Sequence, residues 1–187
     1  DALIATLAAD GRRLSRILLT HSHADHIGGV EAVRARHRVP VLGHHLIADR
    51  VRLDGELADG DLVTLPGATA DWQLRVIHTP GHARGHLCFL HERSKSLLTG
   101  DHITGGTGTV IIDPPEGDMA AYVSSLARLE RERVETIFPG HGSPQGAALE
   151  RIRALIAHRH AREAKVLAAL AAAPRELQAL VEIAYAD

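Results

Sequence analysis

A chain with a single cysteine cannot close a disulfide within itself, and Cys88 stands in the apolar run LCFL, where a thiol behaves as a small buried hydrophobe. Such cysteine usage fits a reducing compartment and places the chain in the cytoplasm. Aromatic residues are also scarce, at 3%, and Tyr122 and Trp72 read as core residues rather than substrate platforms. No apolar stretch reaches the roughly eighteen residues that a membrane span needs, so no membrane partner is expected. Net charge is −2 with neutral histidines, which gives no electrostatic case for nucleic acid or an anionic membrane.

The length of 187 residues suffices for one domain with a proper core and part of a second. All basic residues but Lys95 and Lys165 are arginine, clustered as Arg12, Arg13 and Arg16, then Arg34, Arg36 and Arg38, then Arg151, Arg153, Arg159 and Arg162. On helices such clusters read as solvated faces. The unusual count is histidine, at 14.

Hydrophobic patterning divides the chain into short strands and helices. Residues 2–9 (ALIATLAA) read as a helix, SRILLT as a buried strand, and IGGVEAVRARH as a helix after a histidine-rich loop. VPVLGH, DLVTLP and WQLRVIHTP read as strands, with one or two helical turns in LIADRVR. LCFLHE and SLLTGD flank the turn ERSKS as a hairpin. GGTGTVIIDPPEGD is a long loop with one strand-like piece. Asp118 then caps a helix that presents Tyr122, Leu126 and Leu129 on one face. After the strand in VETIFPGHG, the stretch from Gln145 to Ala173 is helical, with Ile152, Leu155, Ile156, Val166 and Leu170 as buried positions, and RELQALVEIAYAD starts another helix. The alternation places the bulk of the chain in the α/β class, and the Ala-rich end reads as an appendage.

Four places share one design, a strand followed at once by residues that ligate metals. They are Thr20-His-Ser-His-Ala-Asp-His26, Pro80-Gly-His82, Thr99-Gly-Asp101 and Pro139-Gly-His141. Alternate residues of an extended segment project to one side, so His21 and His23 can clasp one ion, while Asp25 and His26 reach a neighbouring one after a turn. Together with His82, Asp101 and His141 this makes five histidines and two aspartates, enough for two metal ions with one shared carboxylate. Imidazole and carboxylate suit zinc first, then iron or manganese. Two ions with room for a bridging water point to metal-assisted hydrolysis.

THSHADHIGG is similar to the HxHxDH signature of the metallo-β-lactamase superfamily, and the later motifs follow in that family's order. Within it, LLTGDHITGGTGTVIIDPPEGDMAAYVSSLARL, PGHG and AHRHAREAKVLAAL resemble the lactamase-beta-2-like branch, and PRELQALVEIAYAD resembles the start of its winged-helix appendage. The resemblance implies an αββα sandwich over residues 1–150, with residues 151–187 as a C-terminal helical segment. It implies that His21, His23 and His82 hold the first metal, that Asp25, His26 and His141 hold the second, and that Asp101 bridges both. A metal-bridging hydroxide would be the nucleophile, with Asp25 orienting it.

An aspartate at 101, where true metallo-β-lactamases of the superfamily carry cysteine or serine, argues against antibiotic hydrolysis. It directs the reading to a thioesterase or esterase of the glyoxalase-II-like kind. The branch also implies a single-stranded RNA endoribonuclease as a second reading. A mononuclear iron persulfide dioxygenase is a third, against which the full second ligand set speaks. An inactive binding module is the fourth. Family members place several strands ahead of HxHxDH, whereas only twenty residues precede His21. The sequence therefore reads as part of a longer protein, with an open sheet edge and uncovered apolar surface where those strands would pack. Among the other histidines, His86 reads as orienting a ligand or shaping its loop. His102 reads as a pocket candidate, and His44 and His45 as surface or helix-start residues. His158 and His160 read as a solvated helix face, and His37, His78 and His91 as structural. The loop from Gly105 to Gly117 reads as a pocket rim.

Overall fold

Period-two alternation through the middle of the chain builds the central sheet. The computed structural model describes residues 2–64, 72–106 and 108–186. Strands β4 (Leu62–Thr64), β5 (Gln73–His78), β6 (Leu87–His91), β7 (Ser96–Gly100) and β8 (Thr136–Pro139) pair in that order, antiparallel except for β7 with β8. A second sheet is parallel throughout and runs β1 (Ile17–Leu18), β2 (Val41–Gly43), β3 (Gly55–Glu56).

Alternation then sorts the side chains into layers. Ile77, Cys88, Leu90, Leu97 and Ile137 point to one face of the larger sheet. There they meet Tyr122, Leu126 and Leu129 of helix α4 (Met119–Leu129) and Ile152 and Leu155 of helix α5 (Ala148–Ala172), taking α1 (Ala2–Ala9), α2 (Ala24–Ile27) and α3 (Val30–His37) as the first three helices. The intervening residues Val76, Leu87 and Phe89 turn the other way and pack against Leu18 and Leu42 of the smaller sheet. Ile17 and Val41, on that sheet's far face, pack with Val30 and Ile27. The order helix, sheet, sheet, helix is an αββα sandwich, as expected. Helix α6 (Leu177–Tyr185) lies against the second half of α5: Arg162 stacks over the Tyr185 ring at 4.1 Å and its guanidinium donates to the Ala184 carbonyl.

Local chemistry sets the ends of these elements. Asp118 accepts from the Ala121 amide at 2.9 Å and starts α4, satisfying one of the donors that a helix N-terminus leaves open. Tyr122, Leu126 and Leu129 are all fully buried, as their spacing required.

Several expectations need correction. The loop between β7 and α4 holds no strand among its described residues, because Pro114-Pro115 and repeated glycines interrupt any ladder. Two-residue β3 was missed for lack of a periodic signal. Trp72 is 57% exposed, just before β5. Leu170 is exposed, and Ala169 takes the buried position next to it. The strand read in DLVTLP holds for Leu62–Thr64, while Leu65 and Pro66 lie outside the described residues. Among the described residues strand β1 ends the smaller sheet, and Leu98 and Phe138 are 40% and 42% exposed.

Candidate metal centre

The pairing directions bring the ligand-type residues together. β5, β7 and β8 all run the same way, since β6 reverses between β5 and β7. Their C-terminal ends therefore share one rim, where His82, Asp101 and His141 follow directly. The loop after β1 meets this rim from the smaller sheet. His23 is its last extended residue, at φ −66 and ψ 150, and Asp25 and His26 stand on the single turn of α2 rather than in an extended segment.

Glycines before the ligands permit the close approach. A Cβ at Gly81, whose φ is +140, would overlap the Tyr122 backbone. A Cβ at Gly140 would sit 2.7 Å from Asp101 Oδ1 and 2.9 Å from His26 Cε1.

Two clusters result, each with ligand atoms within 4.8 Å of one another: His21, His23 and His82, and then Asp25, His26, Asp101 and His141. In the first, His23 Nδ1 lies 3.0 Å from His21 Nε2 and 2.9 Å from His82 Nε2. In the second, His141 Nε2 lies 3.0 Å from Asp25 Oδ2, and His26 Nε2 lies 3.2 Å from Asp101 Oδ1. Asp101 also faces His141 at 3.5 Å and His82 of the first cluster at 3.8 Å, so one carboxylate stands between the two groups. All seven residues singled out from the sequence are thus brought to one place.

Burial and charge differ across the centre. His21 is wholly buried, and burial, reinforced by the imidazoles of His26, His23, His82 and His141, lowers its pKa to about 2. Burial likewise pushes His82 down. Both stay neutral, the form in which an imidazole ligates a metal. Asp25 is exposed. Desolvation opposes its ionisation, but its own backbone hydrogen bond and the His26 and His141 rings outweigh that and hold its carboxyl below the usual range.

The arrangement fits metal ions on two counts. Three imidazole nitrogens converge at 2.9–3.0 Å, and a proton on one can be shared with only one neighbour at a time. His26 Nε2 and Asp101 Oδ1 are buried with no hydrogen-bond partner among the described residues, a cost that a cation between them removes.

The outward atoms of the first cluster are anchored as well. His21 Nδ1 meets Thr20 Oγ1 at 3.1 Å, His82 Nδ1 donates to the Ile111 carbonyl at 2.8 Å, and His23 Nε2 faces Glu116 Oε2 at 3.4 Å. None of these partners was singled out from the sequence. Thr20 adjoins the motif and could have been. Ile111 acts through its backbone, and Glu116 stands in a loop without periodicity, so neither leaves a local signal.

His86 meets the backbone of Asp101 rather than a ligand side chain. It is fully buried and kept neutral by desolvation. Its Nε2 accepts from the Asp101 amide at 3.3 Å, so Nδ1 carries the proton and donates to Thr79 Oγ1 at 2.9 Å. His102 does not line the pocket. It is buried against the Tyr122 ring, 4.8 Å between centroids, and Tyr122 donates from its hydroxyl to the His102 carbonyl. His44 is buried, accepts from the Leu46 amide and stacks on His78 at 4.3 Å, while His45 is exposed.

The later part of the loop expected as a rim lies beside the first cluster. Ile111, Asp113, Pro114, Pro115 and Glu116 line a cavity of about 380 Å³ with His23 and His82. The arginines of α5 hold this rim instead of forming only a solvated face. Arg151 donates to the Gly108 carbonyl at 2.5 Å and Arg159 to the Val110 carbonyl at 2.6 Å.

Fold and site agree with the sequence comparison, in which the model of the metallo-beta-lactamase superfamily matches residues 1–141. The chain belongs to this superfamily. It is 34% identical over 158 residues to the lactamase-like protein aptB of Emericella nidulans, covering 84% of this chain and 48% of aptB. It is 32% identical over 171 residues to an atrochrysone carboxyl ACP thioesterase of Claviceps purpurea, covering 91% and 52%. The chain spans about half the length of the curated relatives it matches. Among solved structures, a metallo-beta-lactamase family protein of Thermus thermophilus superposes with a TM-score of 0.79 at 25% identity, covering 98% of this chain and 74% of that one.

Proposed function

We propose that this chain carries a two-metal hydrolase centre for thioester or ester substrates. In this reading His21, His23 and His82 hold the first ion, Asp25, His26 and His141 the second, and Asp101 is shared. The observation that carries the reading is the position of Asp101, 3.8 Å from His82 on one side and 3.2 Å and 3.5 Å from His26 and His141 on the other. Zinc suits this nitrogen and oxygen donor set, with iron or manganese as alternatives. Bound there, the ions supply Lewis-acid polarisation of the acyl carbonyl and lower the pKa of water.

The chain's own residues supply the rest. Asp25, exposed at the mouth of the centre, accepts a hydrogen bond from the attacking water and orients it. Water adds to the acyl carbon, the C–S bond breaks, and the released thiolate takes up a proton. The rim from Ile111 to Glu116 gives the acyl group an apolar and polar wall beside the first cluster. The thioesterase among the relatives favours a thioester. Against the RNA reading, four arginines of α5 are engaged within the chain: Arg151, Arg159 and Arg162 on carbonyls and Arg153 on Glu130 at 2.8 Å.

The test combines elemental analysis with thiol release from a panel of acyl thioesters. The reading expects two metal equivalents per chain, and thiol release that falls to background in Asp101→Ala. One equivalent at saturating Zn²⁺, or two with no thiol release from any thioester and no hydrolysis of the matching esters, would overturn it.

A further inference from the structure

The first cluster has two rings of contacts, and only the inner one would face a metal. For His23 the inward atom is Nδ1, because Nδ1 is the atom that His21 and His82 approach at 3.0 Å and 2.9 Å. A neutral imidazole that offers Nδ1 as a lone pair must carry its proton on Nε2. His23 Nε2 lies 3.4 Å from Glu116 Oε2, at ion-pair distance and one small side-chain adjustment from a hydrogen bond. The other oxygen of that carboxylate, Oε1, accepts from Arg50 at 2.8 Å. Arg50, Glu116 and His23 therefore form a chain from the surface to the metal-facing nitrogen.

The backbone around Glu116 is held independently. Arg84 donates to the Pro115 carbonyl at 3.1 Å, the Gly117 amide to the Asp113 carbonyl at 2.8 Å, and the Asp118 amide to the Gly81 carbonyl at 2.8 Å. The last contact ties the segment to the residue before His82. Glu116 is thus placed by a fixed loop and not by its own reach alone.

We propose that Glu116 is a positioning residue of the first metal site: its carboxylate, held by Arg50, accepts the Nε2 proton of His23 and so fixes Nδ1 as the metal-facing atom. The inference rests on the two-metal reading above. A carboxylate behind a ligating imidazole fixes its tautomer and raises its basicity, and loss of such a partner costs about 10- to 100-fold in metal affinity. The second cluster gains nothing from Glu116, so its affinity stays the same.

The experiment titrates the metal-free chain with Zn²⁺ against a chromophoric chelator, resolving both dissociation constants for wild type, Glu116→Gln and Arg50→Gln. A long-range ¹H–¹⁵N spectrum of the metal-free chain reads the His23 tautomer, which a merely structural role would not move. The inference expects Glu116→Gln to weaken the first Zn²⁺ by about 10-fold or more, to leave the second unchanged and to erase the Nε2–H preference of His23. Arg50→Gln gives a smaller loss of the same kind, since the carboxylate remains. An unchanged first constant in Glu116→Gln overturns the inference, and so does an equal loss at both sites accompanied by a lower unfolding temperature. A wild-type chain that takes up no Zn²⁺ overturns the two-metal reading itself, and this inference with it. Wild type with two sites and an insensitive Glu116→Gln overturns only the inference.

Discussion

The two halves of the candidate centre are built on opposite principles. The first half is three imidazoles, with His21 wholly buried and His82 nearly so, and each ring's outer nitrogen meets Thr20, Glu116 or the Ile111 carbonyl. In the second half the Asp25 and His141 side chains are more than half exposed, at 57% and 55%, and the contacts of His26 and His141 run to Asp25 and Asp101, within the cluster itself. The difference follows from the cost of burying charge. Burial suppresses the protonation of His21 and His82, whereas the Asp25 carboxylate keeps its contact with water. One short loop supplies both halves because His21 and His23 precede α2 while Asp25 and His26 stand on it. A more buried half and a more open half side by side suit a centre whose two sites differ in affinity.

The comparison breaks most severely at Gly140. A methyl group there would press on Asp101 Oδ1 and His26 Cε1, both in the open half. Gly140→Ala is expected to lower thioester turnover by about 100-fold, the scale of a misplacement near 1 Å, while the first metal remains bound. Loss of the first metal instead would show that the halves are not separable. A milder cut removes one anchor of the more buried half. Thr20→Val deletes the oxygen that meets His21 Nδ1 and is expected to weaken the first metal by about 10-fold with the second unaffected, read by chelator competition.

Acid sharpens the contrast without mutation. His21 has a folded pKa of about 2 against 6.5 as the ordinary value. Between these values the unfolded chain binds a proton that the folded chain refuses, so stability is full above pH 6.5 and falls as pH drops below it. The slope from this one histidine is about 1.4 kcal/mol per pH unit, measurable by urea unfolding of the metal-free chain at pH 7.5 and 5.5. His21→Gln should remove this share of the slope and leave the share of the other buried histidines His44, His82, His86 and His102. The smallest effect is expected at Cys88, where burial raises the thiol to about 12. At pH 8 a maleimide reagent should leave the folded chain unlabelled and react only on unfolding, which mass spectrometry would show.

What the sequence revealed of the fold and the site was local chemistry. His82, Asp101 and His141 were legible because each stands directly after an apolar strand and a glycine, so both the position and the reason for it lie within a few residues. Strands β5 to β7 were legible as short apolar runs, but a sheet buried on both faces hides which way each residue turns, so the split of Ile77, Cys88 and Leu90 from Val76, Leu87 and Phe89 emerged only with the fold. Residues whose role depends on a distant partner were not. Glu116 meets His23 from 93 positions away (116 minus 23) on a loop without period, and Ile111 acts through a carbonyl that every residue owns. Arg159 looked like one more charge on a helix face until the fold placed the Val110 carbonyl under it, 2.6 Å away. Trp72 was misjudged for a related reason: an aromatic residue is usually core, but here it stands just before β5 and stacks on His91 at 4.7 Å while staying exposed.

The direct test of the asymmetric centre is a Zn²⁺ titration of the wild-type metal-free chain against a chromophoric chelator, followed by dialysis and elemental analysis. The account predicts two steps, the first tighter than the second, and one equivalent retained after dialysis. Two equal steps, or a single step with both ions lost together, would contradict it.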